Sequence, residues 1–307
     1  MKLSIITINY NNASGLHKTL ASVASQTYRD IEHIIVDGGS TDGSVDIIKE
    51  YALASSNNDP FFKHIIKWVS EKDNGIYNAM NKGIEVALGR RIVNSFNRSE
   101  RSEDKNKVLP DYVQILNSGD IFAAPDVVAQ MATEIEKAEY PAILYGNMLK
   151  SYDGRTIINK DTCGGAGAVD SFLYFYKGTL NHDCAYIRRE LFDKYGLYNE
   201  EMKICSDWEW YVKAIALGGE KAVYTNIDVT IFDMNGVSES HGKYAALIEK
   251  ERRESLEKIL PATILHDYEM FTFPILQYLR LKKHHMWGIV YFMERVLFKL
   301  EKWKIIK

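Results

Sequence analysis

A chain of 307 residues, 46% hydrophobic and 26% charged, is long enough for one large globular domain or two. Its net charge of −3 excludes a global basic field for nucleic acid. The three cysteines, Cys163, Cys184 and Cys205, form no C-x-x-C pair, which excludes a zinc knuckle and points to a reducing, cytoplasmic compartment. Leu3–Ile8 is apolar and reads as a strand, because Met1–Ile6 is too short for a signal core and Asn9 to Asn12 ends it. A helix is predicted over Leu16–Gln26, with Ser14 as N-cap. Ile31–Val36 is a second strand and Ser44–Ala54 a second helix. Ile65–Val69 is a third strand, and Ile76–Leu88 a third helix with Ile76, Met80, Ile84 and Ala87 on one face. This alternation with short loops argues an α/β fold: a mostly parallel sheet flanked by helices.

The polar stretch at about 91–110 carries few apolar anchors and reads as an exposed insertion. Tyr112–Leu116 then resumes the sheet and ends in Asn117-Ser118-Gly119-Asp120. Pro125 opens a helix to about Lys137, and Ala142–Tyr145 is another strand. Signals are weak over Gly146–Thr179. A helix follows over Asp207–Leu217, with Ser206 and Glu209 forming a capping box. The segment 263–307 carries eight Lys/Arg against four Asp/Glu, with aromatic residues interleaved. Trp287–Trp303 reads as a basic amphipathic helix. Such a helix lies on an anionic bilayer or packs on the body or on a second subunit, as in a homodimer. No apolar run approaches the roughly 20 residues a membrane span needs.

Four carboxylates stand just after strands or at a helix start: Asp37, Asp73, Asp120 and Asp207. Asp favours turns and caps on its own account, so each alone is a plain turn residue. In a parallel sheet, however, the first three converge on one edge, where such sheets bind ligands.

Several blocks resemble family 2 glycosyltransferases. These are Thr7-Ile8-Asn9-Tyr10-Asn11, Ser22–Tyr28, Ile35-Val36-Asp37-Gly38-Gly39-Ser40-Thr41-Asp42-Gly43-Ser44, Asp73–Gly83 and Leu116–Asp120. The resemblance covers about residues 3–125 and thins toward 240. It implies a GT-A fold over 1–240, with a helical, basic extension over 241–307. It further implies a nucleotide-diphosphate sugar donor and inverting transfer. Thr7, Asn9, Asp37, Gly39, Ser40, Asp73, Asn74 and Ser118 would then bind the nucleotide sugar, with Asp37 accepting a ring N–H of the base. Asp120 would hold Mg²⁺ or Mn²⁺, joined by His241 over the metal or diphosphate. Asn117 and Gly119 stand where carboxylates often occur, which leaves Asp120 as the single protein carboxylate of that motif. Asp207 matches the general base. His182 would touch phosphate or acceptor, or serve a structural role. Trp208 would stack on an acceptor sugar or pack inside.

The implied acceptor is a sugar or lipid-linked sugar, with peripheral membrane contact through 282–307. A Gln-x-x-Arg-Trp motif is absent, which favours transfer of single sugars. Two other readings compete. A sugar nucleotidyltransferase would need a Gly-rich basic loop after the first strand, where Asn9–Ser14 stands. A non-catalytic nucleotide-sugar-binding subunit would fit the reduced acidity at 117–120.

Overall fold

A computed structural model describes residues 1–56, 64–95, 111–234, 244–284 and 287–302. Most of the expected insertion, together with His241 and Trp303, lies outside the described residues. The described strands form one ten-stranded sheet. They are β1 (Leu3–Asn9), β2 (Ile31–Asp37), β3 (Ile65–Ser70), β4 (Asn94–Ser95), β5 (Tyr112–Ile115), β6 (Ile121–Phe122), β7 (Ile143–Ser151), β8 (Asn159–Asp161), β9 (Ala185–Arg188) and β10 (Ala222–Asp233). Their order is β4-β3-β2-β1-β5-β9-β7-β10-β6, with β8 beside β7.

The first half is the parallel half. β1 pairs β2 and β5, and β2 pairs β3, all parallel. The second half is mixed: β9 runs antiparallel to both β5 and β7. β1 therefore sits where the chain reverses direction across the sheet, going first to β2 on one side and later to β5 on the other. A crevice opens at the carboxyl ends of strands at such a switch point.

Helices α1 (Ala13–Ala24) and α2 (Ser44–Ser56) cover one face. Their core joins Leu16, Leu20, Ile48 and Ala52 to Ile35 and Ile66 of the strands. Helix α3 (Ile76–Ala87) covers the other face, its Gly83 seated on Ile6 so closely that a Cβ would collide with that side chain. Ile6 and Ile35 lie on opposite faces because strand side chains alternate. Within α3, Met80, Ile84 and Ala87 are buried as their spacing predicts, whereas Ile76 is exposed.

Three local expectations change. The N-cap of α1 is Asn12, whose side chain accepts from Gly15 N, and not Ser14. β7 runs on past Tyr145 to Ser151, because Gly146 admits a close approach of β10: a Cβ there would stand 2.5 Å from Ile227 O. The capping box does not form at α7 (Ser206–Tyr211), which continues as a wider π-helical turn over Val212–Leu217. The Ser206 hydroxyl instead takes Asn199 N at 2.5 Å, and Glu209 pairs with Lys213 at 2.7 Å.

The remaining helices are α4 (Val127–Lys137), α5 (Phe172–Lys177), α6 (Leu191–Tyr195), α8 (Ala245–Ile259), α9 (Ala262–Lys283) and α10 (Trp287–Lys302). By internal contacts the chain divides into Met1–Glu251 and Arg252–Lys307. The second unit holds most of α8 with α9 and α10. Within it Arg253 pairs with Glu257 at 2.8 Å and with Glu269 at 2.5 Å.

Candidate active site

The loops after β1 and β2 are laced together before any ligand enters. Asp37 is fully buried. Its Oδ1 accepts from Asn9 Nδ2 at 2.8 Å and the Ser40 hydroxyl at 2.6 Å. Its Oδ2 accepts from Ser40 N at 2.9 Å, Gly39 N at 3.2 Å and the Ser70 hydroxyl at 2.6 Å. Burial pushes the Asp37 pKa up, but the hydrogen bonds from Ser40, Ser70 and Asn9 more than reverse this and hold it below the usual carboxylate range. A carboxylate has about four acceptor positions. Five donors already occupy these, so Asp37 does not reach for a base N–H as the sequence suggested. It builds the turn.

Thr7 is also corrected. It is fully buried on the α2 face, where its hydroxyl meets His33 Nε2 at 3.0 Å, and His33 Nδ1 meets the Tyr51 hydroxyl at 2.9 Å. Burial first, then neighbouring His64, drops the His33 pKa to about 3 and keeps that ring neutral. Thr7 is thus a strut behind the crevice wall.

Asp73, half-buried, stands in the turn between β3 and α3. It lies against Gly38, where a Cβ would collide with Asp73 Oδ2 and would stand 3.1 Å from the Tyr10 ring. Its Oδ1 holds Gly75 N at 3.0 Å. Tyr10 is 66% exposed beside it, an aromatic face that sequence reasoning passed over. Asn74 is exposed at the same turn, its N–H donating to Asn78 Oδ1. Gly39 and Ser40 turn their N–H groups inward to Asp37, and the Ser40 hydroxyl also receives Asn11 N at 2.8 Å.

The loop after β5 lies across from this turn. Asn12 Nδ2 donates to Ser118 O at 2.9 Å, which ties the end of β1 to it. Thr19 holds it from α1, donating to Asp120 O and accepting from Gly119 N. Asp120 is 4% exposed and accepts Asp233 N at 2.9 Å. Beside it stands Asp183, equally buried and absent from the expected site. Burial first and the Asp183 charge second push the Asp120 carboxyl well above the usual range, against the opposing pull of Asp233 N–H and His182. Asp183 is raised as well, chiefly by burial. Two buried carboxylates this close share a proton or take up a cation.

His182 joins this pair to the last carboxylate. Its Nε2 lies 3.0 Å from Asn117 Nδ2 and 3.3 Å from Asp183 Oδ1, and its Nδ1 lies 3.1 Å from Asp207 Oδ2. Burial lowers the His182 pKa, yet Asp183, Asp207 and Asp120 outweigh burial and raise it to about 9. Asp207 opens α7 and takes the Tyr77 hydroxyl at 3.1 Å on Oδ1. Trp208 is corrected: it is 1% exposed, with its indole N–H on Phe175 O at 2.7 Å, and offers no face to a sugar. Of the expected residues, Asp120, His182 and Asp207 are joined through Asp183 and Asn117, while Ser118 lies in the Asp120 loop and Asp73 in the turn before α3.

An uncharacterized glycosyltransferase of Mycobacterium tuberculosis (strain H37Rv) is 31% identical over 254 residues, covering 82% of each chain. The family model for Glycosyl transferase family 2 matches residues 4–95. This chain belongs to glycosyl transferase family 2. A PGL/p-HBAD biosynthesis glycosyltransferase of Mycobacterium bovis (strain BCG / Pasteur 1173P2) is 25% identical over 248 residues, 81% of each chain.

Among solved structures, S. aureus TarS 1–349 in complex with UDP-GlcNAc is similar at TM-score 0.54 and 17% identity, over 76% of this chain and 58% of that one. The mannosyltransferase PcManGT from Pyrobaculum calidifontis, in complex with GDP-Man and Mn²⁺, is similar at TM-score 0.53 and 19% identity, over 81% and 60%. The chain spans no more than three fifths of these two solved chains. They establish for this glycosyltransferase the GT-A fold that its sequence implied.

Sequence reasoning missed Tyr10, Tyr77, Asp183 and Glu251. Tyr10 and Tyr77 stand inside the blocks that carry the family resemblance, and Asp183 directly follows His182. Glu251 carries no local signal: from α8 its carboxylate accepts Lys203 N, Ile204 N and Cys205 N at 2.7–3.0 Å, bracing the loop before Asp207.

Proposed function

We propose that this glycosyltransferase moves one sugar, with inversion, from a nucleotide-diphosphate sugar to an acceptor hydroxyl in surface polysaccharide or glycolipid synthesis. One observation carries the reading. Tyr77, Asp207, His182 and Asn117 form an unbroken line of contacts from the Asp73 turn to the Asp120 loop. Donor, diphosphate and base positions then share one rim. Asp73 Oδ2 accepts a ring N–H of the base, with Tyr10 beneath the ring. The acceptor oxygen attacks the anomeric carbon as its bond to the diphosphate breaks. Asp207 takes the acceptor proton, a step of the kind that contributes about 10²–10⁴-fold. Inversion follows from that single displacement.

Among the described residues, no three His, Cys, Asp or Glu side chains gather closely enough to cage a metal ion. The donor set nonetheless suits Mg²⁺ or Mn²⁺ in kind. Asp120 and Asp183 are hard oxygen donors in need of positive charge, and Asn117 Oδ1 is buried with no hydrogen-bond partner. Such ions keep waters and bridge to substrate phosphates. A bound ion would supply Lewis-acid offset of the charge on the departing diphosphate.

The complexes of the fold neighbours with UDP-GlcNAc and with GDP-Man and Mn²⁺ support donors of this class. A relative named for PGL/p-HBAD biosynthesis supports a glycolipid acceptor. The test is a thermal-shift screen of UDP-, GDP- and dTDP-sugars with and without Mn²⁺. Ligand at about 100 times its dissociation constant raises apparent stability by about 2.7 kcal/mol. A clear shift with at least one sugar nucleotide is expected; no shift with any of them contradicts the reading.

Peripheral membrane contact through α10 belongs to the same proposal. Ile289, Phe292, Met293, Val296 and Leu297 fall on one arc of that helix and are 37–67% exposed. Arg295, Lys299 and Lys302 fall outside that arc, together with exposed Tyr291 and Phe298, a mix of basic and aromatic groups that supports contact with anionic lipid.

A further inference from the structure

We infer that Tyr77 is a positioning residue, whose hydroxyl turns the Asp207 carboxylate so that Oδ2 receives the acceptor proton. The inference rests on the reading of Asp207 as the base and adds which atom acts and what aims it. The Asp207 side chain is 14% exposed, open enough to meet a substrate. Of its roughly four acceptor positions, Oδ1 has two engaged, by Trp208 N at 2.9 Å and by the Tyr77 hydroxyl at 3.1 Å, whose one proton is shared with Ile204 O at 2.5 Å. Oδ2 has one filled, by His182 Nδ1 at 3.1 Å. The remaining position is on Oδ2.

Tyr77 is well held for this task. It is 4% exposed, its ring lies 5.8 Å from that of Tyr198, and its hydroxyl also reaches Ile204 O at 2.5 Å. It is the second residue of α3, two positions beyond Gly75, whose φ of +122° closes the Asp73 turn. The same helix grips the rest of the loop before Asp207. Asn81 Nδ2 donates to Tyr198 O and to Glu200 Oε1, Asn81 Oδ1 accepts Tyr198 N, and Asn78 Nδ2 donates to Glu200 Oε2. Glu251 braces that loop from its far side through three backbone N–H groups. The turn proposed to read the base thus leads within four residues to the hydroxyl that aims the proposed catalytic carboxylate.

The experiment compares wild type, Tyr77→Phe, Asp207→Asn and the double variant in the full-length enzyme. The donor is whichever of UDP-GlcNAc and GDP-mannose gives nucleotide release, and water serves as acceptor. Tyr77→Phe keeps the ring and its packing. It is expected to lower kcat about tenfold, since misaimed groups lose rate steeply, while donor KM and the thermal shift from free UDP or GDP stay within twofold of wild type. In the Asp207→Asn background it is expected to change nothing further, because it acts only through that carboxylate.

Wild-type kcat in Tyr77→Phe overturns the inference and leaves the base reading standing. Wild-type kcat in Asp207→Asn overturns the base reading itself. Equal loss from Tyr77→Phe in both backgrounds also overturns the inference, since the hydroxyl would then act elsewhere. Should Tyr77→Phe melt well below wild type, the same kcat-against-KM split is measured below its melting transition, where both proteins are folded; an unchanged kcat there overturns the inference.

Discussion

Asp37 and Asp73 stand at the ends of neighbouring strands, yet burial gives them opposite work. Asp37 places its acceptor positions on Asn9, Gly39, Ser40 and Ser70, whereas Asp73 sets its Oδ2 over the bare backbone of Gly38. Sequence marks both as carboxylates after strands and cannot tell which is saturated, because the Ser70 and Asn9 donors arrive from other strands. Asp120 allows a test of sign. Its folded pKa is raised, so ionising it costs stability. The cost sets in as pH climbs above the ordinary carboxylate value of 3.8 and is complete above the folded value. Asp120→Asn should therefore melt higher than wild type without added metal, by more at pH 8 than at pH 5, while losing any stabilisation by Mn²⁺. A lower melting temperature at pH 8 would show that the Asp120–Asp183 pair is not under charge strain.

Elements differ in how far they could be read in advance. Each of the first three helices and strands follows its apolar period, and the structure moves their ends by only a few residues. α7 differs because the side chains of its local Ser206–Glu209 pattern are taken by Asn199 N and Lys213, and the loop before it is held by Glu251, nearly fifty positions away. β7 was cut short for a related reason: Gly146 resembles a breaker until β10 is laid against it. α3 supplies a prediction in which packing overrules propensity. Alanine gains about 1 kcal/mol over glycine inside a helix. At Gly83 the added methyl strikes Ile6, and overpacking of this kind costs about 1–3 kcal/mol. Gly83→Ala should lower stability in denaturant titration; a stabilised variant would mean that α3 can lift off the sheet without cost.

At the level of the whole molecule, the parallel half was legible and the mixed half was not. Alternating strands and helices over the first ninety residues leave few arrangements. The antiparallel insertion of β9 between β5 and β7 depends on contacts across the weakly patterned 146–179 region. The glycosyltransferase family was legible through motifs, and the crevice through the strand ends those motifs occupy. The C-terminal unit has its own prediction. Full-length enzyme should float with vesicles containing phosphatidylglycerol and not with neutral phosphatidylcholine vesicles, and Phe292→Asp with Leu297→Asp should release it. Binding unchanged by those substitutions, or a dimer that they dissolve, would assign the α10 face to another partner.

Asp207→Asn, measured for both turnover and donor binding in one preparation, bears most directly on the whole account. A crevice that gathers donor, diphosphate and base predicts that nucleotide release falls by at least about a hundredfold while the sugar nucleotide still binds as it does to wild type. Undiminished release, or donor binding lost together with turnover, would contradict it.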